Sequence, residues 1–165
     1  MPIKYTPRGY LDPPNRQDLS IVEFEQYFVE SFPKSQTRKE LFEGFIRYNN
    51  AFQQEVTNEM IQWIGGSFTT KKLNPRDIDL VTIMPYSIFE EKSELIEKRF
   101  RRSAKNEYGI DAYIVSAYPE EHDKHGLYRG IMVYWNNQFS KTRKNRAGKR
   151  FKRGYVQIIH QKLEL

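Results

Sequence analysis

Apolar residues in the first third of the chain recur with the spacing of α-helices. Ser20 and Glu23 form a capping box, the N-terminal signature of a helix, and Pro33 ends this first short helix. Thr37 and Glu40 repeat the capping box and begin a second helix of about four turns. Its apolar face consists of Leu41, Phe45, Tyr48, Phe52 and Val56. An aromatic stripe at this spacing predicts a buried face rather than a base-stacking surface.

Four apolar segments predict β-strands, at residues 60–64, 77–84, 110–117 and 154–163. Between the second and third strands, Ser87 and Glu90 form another capping box and begin a helix that reaches about Lys105. Because a helical crossover joins parallel strands, we expect these two strands to be parallel neighbours. Residues 127–139 have a strand-like centre, but the spacing of Tyr128, Met132, Trp135 and Phe139 favours a helix.

This order of elements predicts an α+β fold, with helices packed on a small mixed β-sheet. The 165 residues are enough for one buried core, so we expect a single domain over residues 1–165. Residues 1–19 contain four prolines and no sustained periodicity. They predict an extended lead-in that packs through Tyr5, Tyr10 and Leu11.

Composition narrows the class of protein. A hydrophobic fraction of 38% and an aromatic fraction of 15% exclude a disordered chain. No apolar run approaches the roughly 18 residues of a membrane span, and the N-terminus lacks the apolar core of a signal peptide. With no cysteine, the chain has neither disulfides nor cysteine-ligated zinc. We therefore expect a soluble, cytoplasmic protein.

The net charge of +6 is concentrated in a basic loop at residues 140–153. The loop holds eight cations and no acid: Lys141, Arg143, Lys144, Arg146, Lys149, Arg150, Lys152 and Arg153. A local cluster of this kind predicts a polyanionic partner more strongly than a diffuse excess of charge. RNA or DNA, an acidic protein and a nucleoside triphosphate all fit.

Residues 60–84 contain candidate metal-binding and phosphate-binding residues. Asp77 and Asp79 are two positions apart at the start of a strand, so both carboxylates project from one face. Carboxylate pairs of this kind bind Mg²⁺, which fills its other positions with water and phosphate oxygens. Gly65 and Gly66 allow the backbone to approach a phosphate, and the Ser67 hydroxyl and nearby amides can donate hydrogen bonds to it.

In this order, Gly66-Ser67 followed after nine residues by Asp77-Ile78-Asp79 resembles the signature of the polymerase-β-like nucleotidyltransferase superfamily. Asp111, early in the third long strand, matches the superfamily's third carboxylate. The Gly-Ser-Phe-Thr-Thr-Lys run, residues 74–79 and the basic loop also resemble a family of small, largely uncharacterised bacterial nucleotidyltransferase-like proteins. Some such relatives resemble partners in toxin–antitoxin or phage-defence pairs.

The resemblance implies a nucleotidyltransferase core with Asp77, Asp79 and Asp111 as catalytic residues and ligands of Mg²⁺ or Mn²⁺. A nucleoside triphosphate would be bound by the turn and the following loop, through Gly65, Gly66, Ser67, Thr69, Lys71, Lys72 and Arg76. The acceptor would meet the basic loop at Arg143, Lys144, Arg146, Lys149, Arg150, Lys152 and Arg153.

The implied reaction moves a nucleoside monophosphate from the triphosphate to a hydroxyl group on a macromolecule, either RNA or protein. Two alternatives stay open. One is a catalytically silent nucleotidyltransferase fold that serves as an antitoxin or binding module. The other is a nucleic-acid-binding protein that acts through the basic loop. His122, Asp123 and His125 lack a regular ligand spacing, so we do not assign them to a metal site.

Overall fold

The computed structural model describes residues 2–165. Its centre is a five-stranded mixed sheet in the order β3-β7-β4-β5-β6. The strands are β3 (Arg16–Asp18), β4 (Ile61–Gly65), β5 (Ile78–Pro85), β6 (Ile110–Ala117) and β7 (Tyr155–Ile159). β4 is antiparallel to both of its neighbours, whereas β3 pairs in parallel with β7 and β5 in parallel with β6. The fold class is α+β, as the sequence predicts.

Helices cover both faces of this sheet. They are α1 (Ile21–Glu25), α2 (Arg38–Glu55), α3 (Tyr86–Leu95), α4 (Ala104–Tyr108) and α5 (His125–Phe139). Wider π-helical turns extend α1 over Gln26–Glu30 and α3 over Ile96–Arg102. None of the helices in residues 2–165 is both long enough and apolar enough to cross a membrane.

The two faces of the sheet bury separate clusters, which follow from the alternation of side chains along each strand. Leu80, Met84 and Ile110 point to the face that carries α1 to α4 and join the larger core of phenylalanines. Val81 and Val115 are at alternate positions of the same strands, so they point to the opposite face, where they pack with Phe139 of α5. Asp79 is two residues before Val81, and Asp111 is four residues before Val115. Both aspartates therefore lie on the α5 face of the sheet.

Only one of the three predicted capping boxes forms. The Ser20 hydroxyl accepts from the Glu23 amide and the Glu23 carboxylate accepts from the Ser20 amide, each at 3.1 Å. The side chain of Thr37 makes no capping bond, and the hydroxyl of Ser35 accepts from the Arg38 amide at 3.1 Å instead. The predictions at residues 37 and 87 are therefore wrong. α3 begins at Tyr86, directly after β5, which leaves no room for a cap at residue 87.

The lead-in is more structured than the prolines indicate. β1 (Lys4–Tyr5) and β2 (Leu11–Asp12) form a small antiparallel pair, and β3 joins the main sheet beside β7. The predicted extended lead-in over residues 1–19 does not include this pairing, and Met1 lies outside the described residues. Leu11 is buried, as expected. Short strands of this kind carry little periodicity for a sequence pattern to detect.

Candidate active site at the edge of the sheet

Asp79 and Asp111 lie side by side at one edge of the sheet. β5 and β6 are adjacent and parallel, and their register pairs Asp79 with Asp111. On the other side, Gly65 at the end of β4 is paired with Asp79. The three strand ends therefore bring two carboxylates and the Gly-Gly-Ser turn to one place, as the sequence predicts for neighbouring strands.

The carboxyl group of Asp79 is held where its charge is unfavourable. Burial, the charge of Asp77 and a hydrogen bond and charge interaction with Asp111 raise its pKa to about 6, while Arg143 opposes the shift. Desolvation and like charges both disfavour a carboxylate. At neutral pH this cluster is short of positive charge, which a bound cation would supply.

Asp77 is engaged differently. Its Oδ2 atom accepts from the ammonium group of Lys105 in α4 at 3.3 Å, in a half-exposed ion pair. Within residues 2–165, no three acidic or histidine side chains are already arranged to hold one metal ion. Asp79 and Asp111 thus form a pair, with Asp77 near enough to raise the pKa of Asp79 and also paired with Lys105.

Gly66 lies directly against Asp79. Its φ of +67° is in the region that favours glycine, and a Cβ atom there would be 1.7 Å from Oδ2 of Asp79. Gly65 is equally confined, since its Cβ would meet the ring of Phe139 at 2.5 Å. Neither position has room for a side chain, so the turn backbone lies against the carboxylate.

Arg153 holds the turn in place from inside the protein. Its side chain is only 4% exposed and donates to the carbonyl of Gly66 at 2.8 Å and to the carbonyl of Thr69 at 3.3 Å. It also donates to the Thr69 hydroxyl. The sequence groups Arg153 with the exposed cations of the basic loop. Because its guanidinium is buried and bonded to the turn, it is a structural residue rather than an acceptor contact.

Arg38 of α2 holds the same loop from the other side of the sheet edge. Its guanidinium is fully buried and donates to the carbonyls of Phe28 and Phe68, at 2.8 and 2.7 Å, and of Thr70 and Lys72, at 2.8 and 2.6 Å. Burial lowers the pKa of this guanidinium to about 10. The sequence analysis missed this role, because a charged residue near the start of a helix usually indicates a solvated position.

The remaining loop residues are placed as follows. Thr69 is buried, and its hydroxyl donates to the carbonyl of Gly66 at 3.2 Å, so it supports the turn. Ser67 is half-exposed, while Lys71, Lys72 and Arg76 are exposed. The ammonium group of Lys71 lies 5.5 Å from the ring of Tyr5. The structure therefore leaves Ser67 and the three cations accessible and removes Thr69 from the surface.

The basic loop is an ordered hairpin. Lys141 and Lys152 form an antiparallel bridge, and the amide of Thr142 donates to the carbonyl of Phe151 at 2.9 Å. At its tip, the side-chain oxygen of Asn145 accepts from two backbone amides, each at 2.9 Å. The cations other than Arg153 are exposed: Lys141, Arg143, Lys144, Arg146, Lys149, Arg150 and Lys152. Arg143 is near enough to Asp79 to oppose the rise in its pKa.

The sequence analysis also missed a group of aromatic side chains beside the carboxylates. The hydroxyl of Tyr113 is 3.5 Å from Oδ2 of Asp111, and the ring of Trp135 is 4.6 Å from that of Tyr113. Phe139 packs 5.6 Å from Trp135 and reaches Gly65. The signal was present: Tyr113 is two residues after Asp111 on a strand, which puts both on one face.

The histidines of the loop before α5 have structural contacts. The ring of His122 packs 4.7 Å from each of the rings of Tyr86 and Tyr118. Nδ1 of His125 is 2.8 Å from the carbonyl oxygen of Tyr118. His122 and His125 therefore each have partners within the protein.

The fold and the site define an α+β domain with a carboxylate pair, a glycine turn and a cationic hairpin at one edge of a five-stranded sheet. Residues 3–159 match the model of DUF6932, a family of unknown function, and the chain belongs to that family. Comparisons with curated proteins and with solved structures found no match.

Proposed function

We propose that this protein is a metal-dependent nucleotidyltransferase with a polymerase-β-like core. The hydroxyl oxygen of a macromolecule would attack the α-phosphorus of a nucleoside triphosphate, so that the nucleoside monophosphate is transferred and pyrophosphate is released. The observation that carries the proposal is the pairing of Asp79 with Asp111, with the backbone of Gly66 pressed against Asp79. The sequence order that resembles the superfamily signature is thereby matched by a spatial order.

A divalent cation fits the residues that are present. Asp79 and Asp111 supply hard oxygen ligands, and burial together with the charges of Asp77 and Asp111 raises the pKa of Asp79, a shift that a bound cation would oppose. Asp77 could join them if its ion pair with Lys105 opened. When bound, Mg²⁺ or Mn²⁺ would supply Lewis-acid charge at the phosphate and lower the pKa of an acceptor hydroxyl.

The chain's own residues would position the reactants. The Gly65-Gly66-Ser67 backbone offers amide donors next to the carboxylates, and Arg143 brings a cation to the same place. Lys71, Lys72 and Arg76 would neutralise the triphosphate. Asp111 would accept the proton of the acceptor hydroxyl, with the Tyr113 hydroxyl orienting its carboxylate. Positioning and charge carry this mechanism, and no covalent enzyme intermediate is needed.

The test is transfer of label from each of the four nucleoside [α-³²P]triphosphates to RNA or protein in cell extract, with Mg²⁺ or Mn²⁺. Wild type should label an acceptor, and Asp79→Asn and Asp111→Asn should each lower transfer at least about a hundredfold, as for lost groups that stabilise a transition state. Asp123→Asn, at an exposed loop position, is the matched control and should transfer normally. Equal labelling by wild type and both site variants would refute the proposal.

The ion pair between Asp77 and Lys105 favours a second candidate, a catalytically silent fold that serves as a binding or antitoxin module. A third carboxylate satisfied by a lysine has less need of a metal ion. The variant Lys105→Gln separates the two, because it frees Asp77 without touching the other carboxylates. Transfer that stays absent in wild type and in this variant, with all nucleotides and both metals, would support the silent module.

A further inference from the structure

Three aromatic side chains form a shelf beside the carboxylate pair: Tyr113 of β6, and Tyr134 and Trp135 of α5. The Trp135 ring is 4.6 Å from the ring of Tyr113 and 5.2 Å from that of Tyr134. Tyr134 is 53% exposed, and the other two are partly exposed. A large aromatic side chain left half in solvent on a helix that is otherwise packed against a sheet marks an accessible surface.

The aromatic shelf ends at the proposed site. The hydroxyl of Tyr113 is 3.5 Å from Oδ2 of Asp111, and burial, followed by the charges of Asp111 and Asp79, raises the pKa of Tyr113. A flat ligand stacked on these rings would therefore place its next group near the carboxylates.

The cationic hairpin follows the aromatic shelf directly along the chain. α5 ends at Phe139, and the hairpin begins at Lys141 with seven exposed cations and no acid. Its backbone is held by the bridge between Lys141 and Lys152 and by the buried Arg153. Arg143 lies within electrostatic reach of Asp79. A polyanion on this hairpin would thus approach the same carboxylates as a ligand on the shelf.

Resting on the proposed function, we propose that the aromatic shelf and the cationic hairpin together bind the end of a single-stranded RNA, which is the acceptor. Seven cations exceed what one triphosphate needs and match a phosphodiester backbone. Exposed rings stack unpaired bases, which a duplex hides. The Tyr113 hydroxyl and the Asp111 carboxylate can hydrogen-bond a ribose 2′-hydroxyl, a group that DNA lacks.

The experiment is a fluorescence-anisotropy titration of the full chain with a labelled 12-nucleotide RNA of mixed sequence, without nucleotide or divalent cation. We expect Tyr134→Ala to weaken binding about tenfold, the loss typical of one stacked base. Replacing Arg143, Lys144 and Arg146 by Gln should weaken binding and lower the salt slope by about 2, since each contact to a single strand contributes about 0.7. Leu127→Ala removes another exposed apolar side chain of α5, at 61% exposure, and should bind as wild type does.

Three results would overturn the inference. They are an affinity for the duplex form of the same RNA as high as for the single strand, an unchanged RNA affinity in Tyr134→Ala, and an equal affinity for single-stranded DNA of the same sequence. Repeating the titration with Asp79→Asn separates this inference from the proposed function, because binding needs no turnover. RNA binding without nucleotidyl transfer by wild type would uphold the surface and refute the enzyme. Nucleotidyl transfer to protein without RNA binding would uphold the enzyme and refute the RNA-binding surface.

Discussion

The substitution Asp79→Asn tests the electrostatic cost of the site. The ordinary pKa of the side chain is 3.8, and in the folded protein burial and the neighbouring carboxylates raise it to about 6. The folded state therefore binds the proton more tightly than the unfolded state, and stability falls as pH rises from about 4 to 6. A difference of about two pH units corresponds to about 3 kcal/mol at pH 8. Asparagine carries no charge, so the variant should be more stable than wild type there by about 1 to 3 kcal/mol.

The assay is urea denaturation of both proteins at pH 4.5 and pH 8 with a chelator present, followed by circular dichroism. His160 titrates over an overlapping range in the opposite sense: burial lowers its pKa from 6.5 to about 4, so its contribution to stability is lost as pH falls below 6.5. In wild type the two effects partly cancel. The difference between wild type and Asp79→Asn removes the His160 contribution and isolates the carboxylate.

A divalent cation should reverse the order of stability, so that wild type becomes more stable than Asp79→Asn. If Mg²⁺ or Mn²⁺ binds Asp79 and Asp111, wild type gains stability with metal concentration and Asp79→Asn gains little. Asp123→Asn, in the exposed loop before α5, provides the charge-matched control and should follow wild type under all conditions. The reasoning fails if Asp79→Asn is less stable than wild type at pH 8, or if the difference between them does not change with pH.

Three further predictions concern the residues that shape and support the site. Gly66→Ala should lower stability by about 2 to 4 kcal/mol and stop nucleotidyl transfer, because its Cβ would overlap Asp79. The control is Gly148→Ala, at φ +75° with open space around it, which should lose only about 1 kcal/mol of stability and keep the activity. Arg38→Met should lower the free energy of unfolding by about 3 to 5 kcal/mol in urea denaturation, since four buried carbonyls lose their donor; a change under 1 kcal/mol would contradict the assigned bonds. His160 should titrate by NMR with a midpoint near 4, because burial disfavours the charged imidazolium; a midpoint near the ordinary 6.5 would show that it is solvated.

Residue patterns predicted the elements that depend on local periodicity. The third long strand is found where the apolar run indicates, and the parallel pairing of β5 with β6 follows from the helical crossover between them. The adjacency of Asp79 and Asp111 was predictable for the same reason. Two capping boxes did not form for different reasons: Thr37 is at the N-cap of α2 as predicted, but Ser35 accepts from the Arg38 amide in its place, whereas α3 begins one residue before Ser87.

Other parts of the site could not be read from spacing alone. Arg153 has the same sequence neighbourhood as the exposed cations of the hairpin, and only the fold shows that it points inward to Gly66. The ion pair of Asp77 with Lys105 joins the loop before β5 to helix α4, two segments that no local pattern connects. The spacing of Trp135 and Phe139 predicts a helix but not its exposure: Phe139 is buried, whereas Trp135 is beside Tyr134, which is 53% exposed.

The hydrogen bonds of Arg153 bear on the charge balance of the carboxylate pair. Its guanidinium is close enough to Asp79 for the two charges to interact, yet its hydrogen bonds go to Gly66 and Thr69. A direct bidentate bond to Asp79 would lower the pKa of that carboxyl group, whereas burial and the neighbouring carboxylates raise it. The protein therefore uses its buried cation to fix the turn and leaves the carboxylates uncompensated. A cost of about 3 kcal/mol is large against the usual 5 to 15 kcal/mol of domain stability, and a site that keeps such a cost is best explained by a ligand that removes it.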